Sequence, residues 1–594
     1  MDDFAPGREF PAATEEAWLE RARASLRGRD VDSLARTTPE GLRIPPVFSE
    51  GEPLRLPLRP APLAKRHGWA VMQRLEIPDP ANALEQARED MRGGADGLVP
   101  VSRTAPLAAG FGLADDDLLA ILDEMEPDIV PMRLDCGTEW PAVAGKVLGL
   151  CARRHLDLSL LPLRMAVDPF CGPATGRDRT DAATLSAAIG EVVRKGGAPP
   201  GLLAADTRLF HAAGCGDAQE LALATAAFVE IMRLLEGHGL APDRTAPLVM
   251  WLMTADTDQF MTMARLRAAR LLHARVLEAA GIPFVPLRLH VESAWRMMTR
   301  LDVHVNMLRV TSAAFAAGVG GADAVTLLPF TAALGLPDAF ARRMARNAQI
   351  IALEEAALDR VRDPAAGSHF LDTLTRDLAS RAWETFRDIE REGGLLAALL
   401  SGFVADMIAE TADRRAADVA TRRMPLTGVS EYPDLHEELP EMLAPAPPIR
   451  GAAPEGGLRP RRLSEPFERL RDAASAFRTR CGHPPRAFLA LAGSPNDPRV
   501  TWTRNLLAAG GIECATGDPE TCDPAETPLA VLCGGNDDYL ERGAEMLEAL
   551  RGRGVRAVWI AGKGSGLPVD RELHAGMDVL EALGEAHGLL EVQP

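Results

Sequence analysis

The chain has 594 residues, which is enough for several domains of roughly 100–250 residues each. Lys and Arg number 65 against 84 Asp and Glu, and the net charge of −19 argues against nucleic-acid or anionic-membrane binding, because both partners require a basic surface. The sequence starts Met1-Asp-Asp-Phe4, without the basic and apolar regions of a signal peptide, and no run of about 18 apolar residues predicts a membrane span. The eight cysteines form no C-x-x-C pair and are typical of reduced thiols, so we expect a cytoplasmic protein.

Residues 1–67 are predicted to form an N-terminal arm. Apolar residues recur with helical spacing over 15–26, and the proline-rich stretch 52–62 excludes regular structure. Such an arm has too little apolar surface to bury itself alone. It is therefore either a loosely packed tail or a segment that contacts a partner chain.

Residues 68–337 repeat one pattern, in which a short apolar run is mostly followed by a stretch of helical length. Strands that alternate with helices are typical of a parallel sheet with crossover helices, and eight such units close into a TIM-type (β/α)8 barrel. Run lengths alone allow seven to nine strands, so the count of eight rests on the resemblance given below. The eight runs span 69–75, 97–101, 128–134, 161–168, 201–206, 247–253, 284–290 and 324–328.

Three regions follow the barrel. Residues 338–436 are predicted to be a helical extension of the barrel domain, and residues 437–484, rich in Pro, Ala and Gly, an exposed linker. Residues 485–594 alternate strand-like runs with helical stretches, which predicts a small, doubly wound flavodoxin-like α/β domain. Its strand-like runs span 486–492, 512–515, 528–533 and 555–561.

Two motifs within the stretch 288–383 are long, ordered and specifically spaced. They are Ala341-Arg-Arg-Met-Ala-Arg-Asn-Ala-Gln349 and Asp363-Pro-Ala-Ala-Gly-Ser368, and Arg422-Arg-Met-Pro-Leu-Thr-Gly-Val-Ser-Glu-Tyr-Pro433 follows them. These residues closely resemble the cobalamin-dependent acyl-CoA mutases, above all the small (beta) subunit of methylmalonyl-CoA mutase. The resemblance covers most of the chain and implies an isomerase that uses adenosylcobalamin and an acyl-CoA substrate. It also implies a heterodimer of this chain with a large, catalytic subunit.

The cobalt-ligating motif of the family is missing from the C-terminal domain. In the family, D-x-H-x-x-G after the first strand supplies the histidine that ligates cobalt, and its aspartate orients the other ring nitrogen. The corresponding loop here is Gly493-Ser-Pro-Asn-Asp-Pro498, which has no histidine. The D-x-H triplets of the chain, at Asp302 and Asp434, lie outside this domain and lack the glycine. We therefore expect adenosylcobalamin on the partner chain and none on this chain.

A second family motif, at one barrel loop, is altered. The family places a tyrosine and a histidine at the reaction site, and the corresponding residues here are Phe210 and His211. A phenylalanine ring cannot hydrogen-bond a substrate carbonyl, and the chain's two tyrosines, Tyr432 and Tyr539, lie outside the barrel. We expect no catalytic residue in this chain. We interpret His211 as a relic, because a lone loop histidine is more often a structural group.

The barrel strands carry bulky residues where the resemblance implies a channel for coenzyme A in the catalytic chain. Thr326-Leu-Leu-Pro-Phe330 replaces the family's S-L-H-T-N strand. Bulky side chains that point inward fill a barrel into a solid core, so we favour a barrel closed to coenzyme A. The bulky strand residues are Met165, Met250, Leu252, Leu287 and Leu289.

Two glycine-rich turns of the C-terminal domain are weak candidates for a relic cofactor site. Gly534 and Gly535 follow the third strand, and Gly562, Gly564 and Gly566 belong to a Gly-Lys-Gly-Ser-Gly run that is not a Walker sequence. Turns at strand ends are the more frequent role of such glycines.

Two further features carry weaker signals. The basic cluster Arg342, Arg343 and Arg346 is more often a solvated helix face than an anion site or a partner contact. Cys, His and Asp residues nowhere reach metal-site spacing, so no metal site is expected.

Together these observations favour a non-catalytic small subunit that stabilises a catalytic large subunit through its barrel and N-terminal arm. Its C-terminal domain would be a degenerate form of the cobalamin-binding domain. One alternative is an acyl-CoA mutase in its own right, which binds cobalamin without a protein histidine ligand. Another is a stand-alone protein that sequesters acyl-CoA, which requires an open barrel.

Overall fold

A computed structural model describes residues 14–48, 54–61, 68–197, 199–447, 454 and 456–592. Its eight-stranded parallel sheet consists of β1 (Ala70–Leu75), β2 (Gly97–Pro100), β3 (Met132–Arg133), β4 (Leu163–Arg164), β5 (Leu203–Asp206), β6 (Val249–Ala255), β7 (Leu289–Ser293) and β8 (Ala324–Thr326). The strand order is β4-β3-β2-β1-β8-β7-β6-β5. Val167, just beyond β4, pairs in parallel with Leu203 of β5, so the two ends of the sheet meet. The predicted TIM-type barrel is therefore confirmed, and each predicted run overlaps one strand.

A helix follows each barrel strand and packs on the outside of the sheet. The helices of the barrel domain and arm are α1 (Glu15–Ser25), α2 (Pro80–Arg92), α3 (Asp115–Glu124), α4 (Trp140–Arg154), α5 (Cys171–Thr175), α6 (Ala182–Gly196), α7 (Arg208–Ala213), α8 (Asp217–Glu236), α9 (Pro242–Thr245), α10 (Gln259–Ala279), α11 (Val305–Val319), α12 (Ala339–Glu354), α13 (His369–Arg391), α14 (Leu395–Ser401) and α15 (Phe403–Ala420). Short 3-10 turns span Val31–Leu34, Gly137–Glu139, Ala246–Leu248 and Trp295–Met297.

Several of these helices begin at an aspartate that caps the first turn. Asp79, Asp181, Asp258 and Asp338 each accept a hydrogen bond from the backbone N–H three residues further on. Such a cap satisfies one of the N–H groups that a helix leaves unpaired at its start. The sequence therefore sets the start of α2, α6, α10 and α12 locally.

The main core lies between the barrel strands and the surrounding helices. Side chains alternate along each strand, so Trp251 of β6 faces this core while Met250 and Leu252 face the barrel axis. Trp251 packs against Phe228 of α8 and His273 of α10, with ring centroids 6.2 and 6.0 Å away. Burial among these groups lowers the pKa of His273 to about 4, so its ring is neutral at pH 7.

A buried ion cluster ties α12 to α2. The carboxylate of Asp90 on α2 accepts hydrogen bonds from Arg342 and from Arg346 of α12, the latter at 2.8 Å. Arg346 also donates to the backbone oxygen of Gly93 at 2.9 Å. These three charged side chains are at most 6% exposed. The solvated helix face that we expected for the arginine cluster is therefore wrong for Arg342 and Arg346, and it holds for Arg343, which is exposed.

Helices α13, α14 and α15 complete the barrel domain. The stretch 395–409, which has the apolar spacing of one helix, is divided because Gly402 adopts a φ of 90° between α14 and α15. In the described part of the chain, no single helix combines the length and the apolar composition needed to cross a bilayer. The α14–α15 pair reaches both only when its two helices are taken together, and they meet at an angle of 73°.

The stretch 437–484, expected to be an exposed linker, contains helix α16 (Glu465–Cys481). Phe467 of this helix is fully buried in the core of the C-terminal domain. On its other side, the carboxylate of Glu468 accepts a hydrogen bond from Arg300 of the barrel domain at 3.1 Å. Helix α16 therefore connects the two domains through both apolar and charged contacts.

The C-terminal domain is a five-stranded parallel sheet with helices on both faces, and its flavodoxin-like class is confirmed. Its strands are β9 (Arg486–Leu491), β10 (Glu513–Gly517), β11 (Leu529–Cys533), β12 (Ala557–Ala561) and β13 (Arg571–Leu573), and its further helical segments are α17 (Pro498–Ala509), the 3-10 turn Pro519–Thr521, α18 (Asn536–Gly552) and α19 (Val579–Leu589). The strand order β10-β9-β11-β12-β13 is the flavodoxin-like order 2-1-3-4-5. The sequence pattern did not predict β13, which has only three residues.

The described part of the N-terminal arm contacts the barrel domain at several points, among them the start of α8 and the amino end of the barrel. Glu40 accepts hydrogen bonds from the backbone N–H groups of Ala218 and Gln219, at the start of α8. Arg59 donates to the backbone oxygen of Ala322 at 2.6 Å, at the amino end of the barrel. Helix α1, in contrast, has no buried residue. Two-residue strands pair Arg36–Thr37 with Arg43–Ile44 and Gly335–Leu336 with Ala444–Pro445. Residues 1–13, 49–53 and 62–67 of the predicted arm lie outside the described residues.

We expect the substitution Asp90→Ala to lower the free energy of unfolding by about 3–5 kcal/mol, because it leaves Arg342 and Arg346 buried without a counter-charge. Urea unfolding followed by circular dichroism measures this loss. Asp123→Ala is the matched control, since Asp123 pairs with Arg154 at a site where both side chains are more than 40% exposed. We expect the control to change stability by less than about 1 kcal/mol. Equal effects of the two substitutions would contradict a buried, structural role for Asp90.

Candidate functional site

The carboxyl end of the barrel interior is filled by a buried ion network centred on Glu292. Glu292 of β7 accepts a hydrogen bond from Arg74 of β1 at 2.9 Å and another from Arg208 of α7 at 3.1 Å. Arg133 of β3 approaches the same carboxylate at 3.6 Å. The four residues are at most 4% exposed. Because their elements lie around the ring, the network crosses the barrel axis.

Three more carboxylates complete this Glu292 network. Arg208 donates to Asp135 at 2.9 Å and to Asp206, at the end of β5, at 2.6 Å. Arg74 donates to Glu76 at 2.9 Å. Three arginines therefore face four carboxylates in a region that water barely reaches. Charges in such a region are stable only when they compensate one another.

Burial and mutual attraction determine the ionisation of these groups. Burial alone would raise the pKa of Glu292, but Arg74, Arg208 and Arg133 outweigh it and hold that pKa below its ordinary value. The pKa of Asp135 is lowered in the same way, against burial, chiefly by Arg208. Burial, reinforced by Arg208, lowers the pKa of Arg133 to about 10. At pH 7 the network is therefore fully ionised at these three positions.

Apolar side chains fill another part of the barrel interior. Fewer of the bulky strand residues point inward than the sequence analysis predicts. Met250 and Leu252 point inward and pack with Ala166 and Ala204. The other three bulky strand residues face the helices and belong to the outer core, so the expectation that they fill the barrel is wrong. Whether a strand side chain points to the barrel axis or to the helices depends on strand register, which the boundaries of the apolar runs alone do not define. These three residues are Met165, Leu287 and Leu289.

A small cavity remains at the carboxyl mouth of the barrel. Its volume of about 20 Å³ has room for roughly one water molecule, whereas pockets for small-molecule ligands measure about 300–1,000 Å³. Asp168, Asp206 and Phe210 are among the residues that line it. Burial, together with the nearby charge of Asp206, raises the pKa of Asp168 well above its ordinary value.

His211 lies behind this cavity, on α7, and is fully buried. Its Nε2 atom is 3.5 Å from a carboxylate oxygen of Asp256, which accepts a hydrogen bond from Arg296 at 2.8 Å. Neither ring nitrogen of His211 hydrogen-bonds another described residue. Burial and then the positive charge of Arg296 lower the pKa of His211 well below its ordinary value. The neighbouring Phe210, rather than His211, reaches the cavity at the mouth.

Residues 456–464 pass over the same mouth on their way to α16. The backbone N–H of Leu458 donates to Ala174 of α5 at 2.8 Å, and that of Arg461 donates to Ala212 of α7 at 2.9 Å. These contacts tie the segment to the two short helices that border the cavity. Part of the predicted linker is therefore a cover on the barrel.

The C-terminal domain has a crevice at the carboxyl ends of β9 and β11, where open α/β sheets bind ligands. Arg499 of α17 spans this crevice and donates to the backbone oxygen of Gly534 at 2.9 Å and to Asn536 at 2.7 Å. Its guanidinium lies 5.5 Å from the ring centre of Tyr539. The Tyr539 hydroxyl accepts a hydrogen bond from Gly534 N–H and donates to the backbone oxygen of Ala561 at 2.8 Å. The chain's own side chains therefore fill the crevice.

The two glycine turns lie around this crevice. Gly534 and Gly535 connect β11 to α18, and Gly535 N–H donates to Asp538 at 2.7 Å. Gly562, Gly564 and Gly566 follow β12 and all have positive φ angles, which explains why glycine stands there. Among the described residues, no group of three or more His, Cys, Asp and Glu could hold a metal ion.

Comparison with known proteins identifies the family to which this chain is related. Residues 204–450 match the protein-family model described as methylmalonyl-CoA mutase. The chain is 38% identical to the methylmalonyl-CoA mutase small subunit of Streptomyces virginiae, over 98% of this chain and 97% of that one. The chain belongs to the methylmalonyl-CoA mutase family.

Other relatives in the family show which subunit the chain resembles throughout. It is 31% identical to the methylmalonyl-CoA mutase small subunit of Propionibacterium freudenreichii subsp. shermanii, over 100% of this chain and 98% of that one. It is 35% identical to the large subunit of the same organism, but over 37% of this chain and 30% of that one. The similarity to small subunits therefore spans the chain, whereas the similarity to this large subunit covers about a third of it.

Cobalamin, which the mutase family implies, does not fit the residues of the C-terminal crevice. The loop after β9 offers no histidine, and a Cβ atom at Gly493 would lie 2.3 Å from the Asp538 carboxylate. Arg499 also approaches Gly562, since a Cβ atom there would lie 3.1 Å from its Nη1 atom. A large ring placed at this edge would have to displace these groups and break their hydrogen bonds.

The charged interior of this mutase-type barrel is the main feature that sequence patterns did not predict. A signal was present, because Arg74 and Arg133 stand inside predicted strand runs. A buried parallel strand normally carries apolar residues, and a buried arginine needs a charged partner. The partner, Glu292, lies just beyond the predicted run 284–290, so the pairing could not be recognised along the chain.

We expect Glu292→Gln to lower the free energy of unfolding at pH 7 by about 3–5 kcal/mol, because Arg74 and Arg208 lose their shared counter-charge. The loss should shrink in acid. The folded-state pKa of Glu292 lies below the ordinary value of 4.5, so its ionisation stabilises the fold above about pH 4.5 and this contribution disappears as the pH falls through the lower folded-state value. Urea unfolding between pH 7 and pH 3 measures both effects.

The control for this experiment is Glu384→Gln. Glu384 pairs with Arg381 at the surface, where the two side chains are 62% and 52% exposed. We expect a change of less than about 1 kcal/mol at every pH. A loss for Glu292→Gln that stays constant down to pH 3 would show that packing, rather than charge, is its cause.

Proposed function

We propose that this chain is the non-catalytic small subunit of a heterodimeric, adenosylcobalamin-dependent methylmalonyl-CoA mutase. The large subunit would bind the cofactor and interconvert methylmalonyl-CoA and succinyl-CoA. The small subunit would stabilise it as a folded scaffold. The observation that carries this proposal is the Glu292 network, which occupies the axis of the barrel.

The network supports this role because a substrate channel and a buried ion cluster cannot share one space. The mutase resemblance implies that coenzyme A lies along the axis of the catalytic barrel. Here Arg74, Arg208 and Glu292 meet at that axis, and the cavity at the carboxyl mouth, of about 20 Å³, holds roughly one water. Separating buried, paired charges to admit a ligand would leave each of them uncompensated. A barrel of this kind contributes stability rather than substrate binding.

The altered reaction site supports the same role. Phe210 lines the mouth cavity at the place where the family has a tyrosine, and its ring offers no hydrogen-bond donor. His211 is buried beside Asp256 and does not line the cavity. Its strongly lowered pKa keeps the ring neutral, so it cannot donate a proton as a cation at neutral pH.

The C-terminal crevice supports a cofactor held by the partner alone. Arg499 and Tyr539 fill the edge of the sheet, and Gly534 is hydrogen-bonded to both. Gly534, Gly535, Gly562, Gly564 and Gly566 are then relics of a cofactor domain that now serve as turns.

The N-terminal arm would supply part of the contact with the large subunit. Helix α1 has an apolar face made by Trp18, Leu19 and Ala22, and all three are only partly buried in this chain. The arm is anchored on its own barrel by Glu40 and Arg59, which leaves α1 available to a partner.

The first test uses size-exclusion chromatography with light scattering and an absorbance scan, with adenosylcobalamin present. We expect the chain alone to elute without the visible absorbance of the cofactor. Mixed with the large subunit of the same organism, it should form a one-to-one, coloured complex.

Two results would contradict the proposal. Stoichiometric cobalamin uptake with turnover by the chain alone would identify a mutase in its own right. Saturable binding of acyl-CoA by the chain alone, measured by titration calorimetry, would instead identify an acyl-CoA-binding protein with an accessible barrel.

A further inference from the structure

An exposed apolar surface lies on two neighbouring helices on the outside of the barrel. On α11, Leu308 is 70% exposed and Phe315 is 37% exposed. On α12, Phe340 is 47% exposed and Ile351 is 50% exposed. We call these four residues the α11–α12 surface.

The spacing along each helix gathers these side chains into one surface. Leu308 and Phe315 are seven residues apart, or about two helical turns, so they share a face of α11. Both helices follow a barrel strand and run in the same direction. Leu308 and Phe340 lie within the first turn or so of their helices, Phe315 lies about 10 Å beyond Leu308, and Ile351 lies about 16 Å beyond Phe340. The exposed apolar side chains therefore extend along both helices from their amino-terminal turns.

The α11 part of this surface carries no exposed charged residue. Between Leu308 and Phe315, the exposed position of α11 is Thr311, and the one charged residue of the helix, Arg309, is only 8% exposed. A quarter of the whole chain is charged. Depletion of charged residues is the compositional mark of the central part of a protein–protein interface.

The exposed apolar area is of the size that such a centre needs. The four exposed fractions correspond to roughly 400 Å² of apolar surface, since a large side chain of this kind offers about 150–250 Å². That is comparable to the largest apolar patch on a typical monomer, which is often functional. A stable interface covers about 800 Å² on each partner, so this surface would form about half of one, with polar groups around it.

We propose that the α11–α12 surface is the docking site for the large mutase subunit, and this inference rests on the function proposed above. A second copy of this chain is the less favourable occupant, because each copy carries a net charge of −19 and the two would repel each other. The α11 part of the surface places no exposed charge at the contact. On α12, the Arg343 guanidinium lies 5.5 Å from the Phe340 ring centre, and Glu354 is exposed about one turn beyond Ile351.

Shared ancestry gives the docking a defined geometry. The matched family region, residues 204–450, includes both α11 and α12, so a large subunit of the family carries the equivalent helix pair. Two related chains can then pair through equivalent faces about an approximate two-fold axis. In this arrangement Leu308 and Phe315 lie near the centre, where truncation of a side chain weakens binding most.

The test compares the affinity of wild-type chain, Leu308→Glu and Phe315→Glu for the large subunit of the same organism, by analytical ultracentrifugation of labelled chain. We expect each substitution to weaken binding by about 10- to 100-fold, because it places a charge at the centre of an apolar contact. Leu160→Glu is the matched control and should bind like wild type, since Leu160 is 81% exposed and lies outside both helices. Thermal unfolding of each chain alone checks that these surface changes leave the fold intact.

The possible failures are distinguishable. If wild type binds tightly and both glutamate variants bind equally well, the docking site is wrong and the proposed function stands. If wild type does not bind the large subunit at all, the proposed function is wrong, and the proposed docking site, which depends on it, is wrong too. If wild type alone is a dimer that Leu308→Glu converts to a monomer, the occupant is a second copy and the inference is overturned.

Discussion

The barrel depends on one buried carboxylate, that of Glu292. It holds arginines from opposite parts of the ring in a space from which water is nearly excluded, where each charge is stable only beside its opposite. The strands that carry these groups are thereby fixed at the distances the ion pairs require. The same contacts occupy the axis along which a ligand would have to pass. The same ion pairs therefore close the interior of the barrel and make its fold sensitive to the loss of any one charge.

Local sequence patterns predict the alternation of strands and helices, whereas the count of eight strands rests on the family resemblance. Each of the eight apolar runs overlaps a barrel strand, because a parallel strand buried on both faces must be apolar over several residues. The errors arose where tertiary contacts decide. Gly402 divides a stretch with helical spacing, and α16 forms within a composition typical of a linker because Phe467 finds a core to enter. Strand β13 is too short to produce a periodic signal.

For the candidate site, the sequence identifies the residues at the family's motif positions more readily than the side chains that contact them. Phe210 and the histidine-free loop after β9 are visible in the sequence, since the absence of a functional group is a local property. The groups that fill the barrel interior come from distant segments, and Arg208 and Glu292 are 84 residues apart. Tyr539 was noted only as lying outside the barrel, yet it completes the filling of the C-terminal crevice with Arg499. Such pairs follow from register and packing, which composition does not reveal.

The ion network also limits how such a barrel can change over time. Neutralising any one member leaves its partners without a counter-charge in a region of low polarity. Single substitutions that begin to open the axis therefore lower the stability of the whole domain. Reopening would require concerted replacement of Glu292, Arg74 and Arg208, which belong to three different elements. The intermediates would fold poorly and be removed by selection. A barrel closed by mutually dependent charges therefore cannot be converted into an open one by a series of single substitutions that each preserve stability.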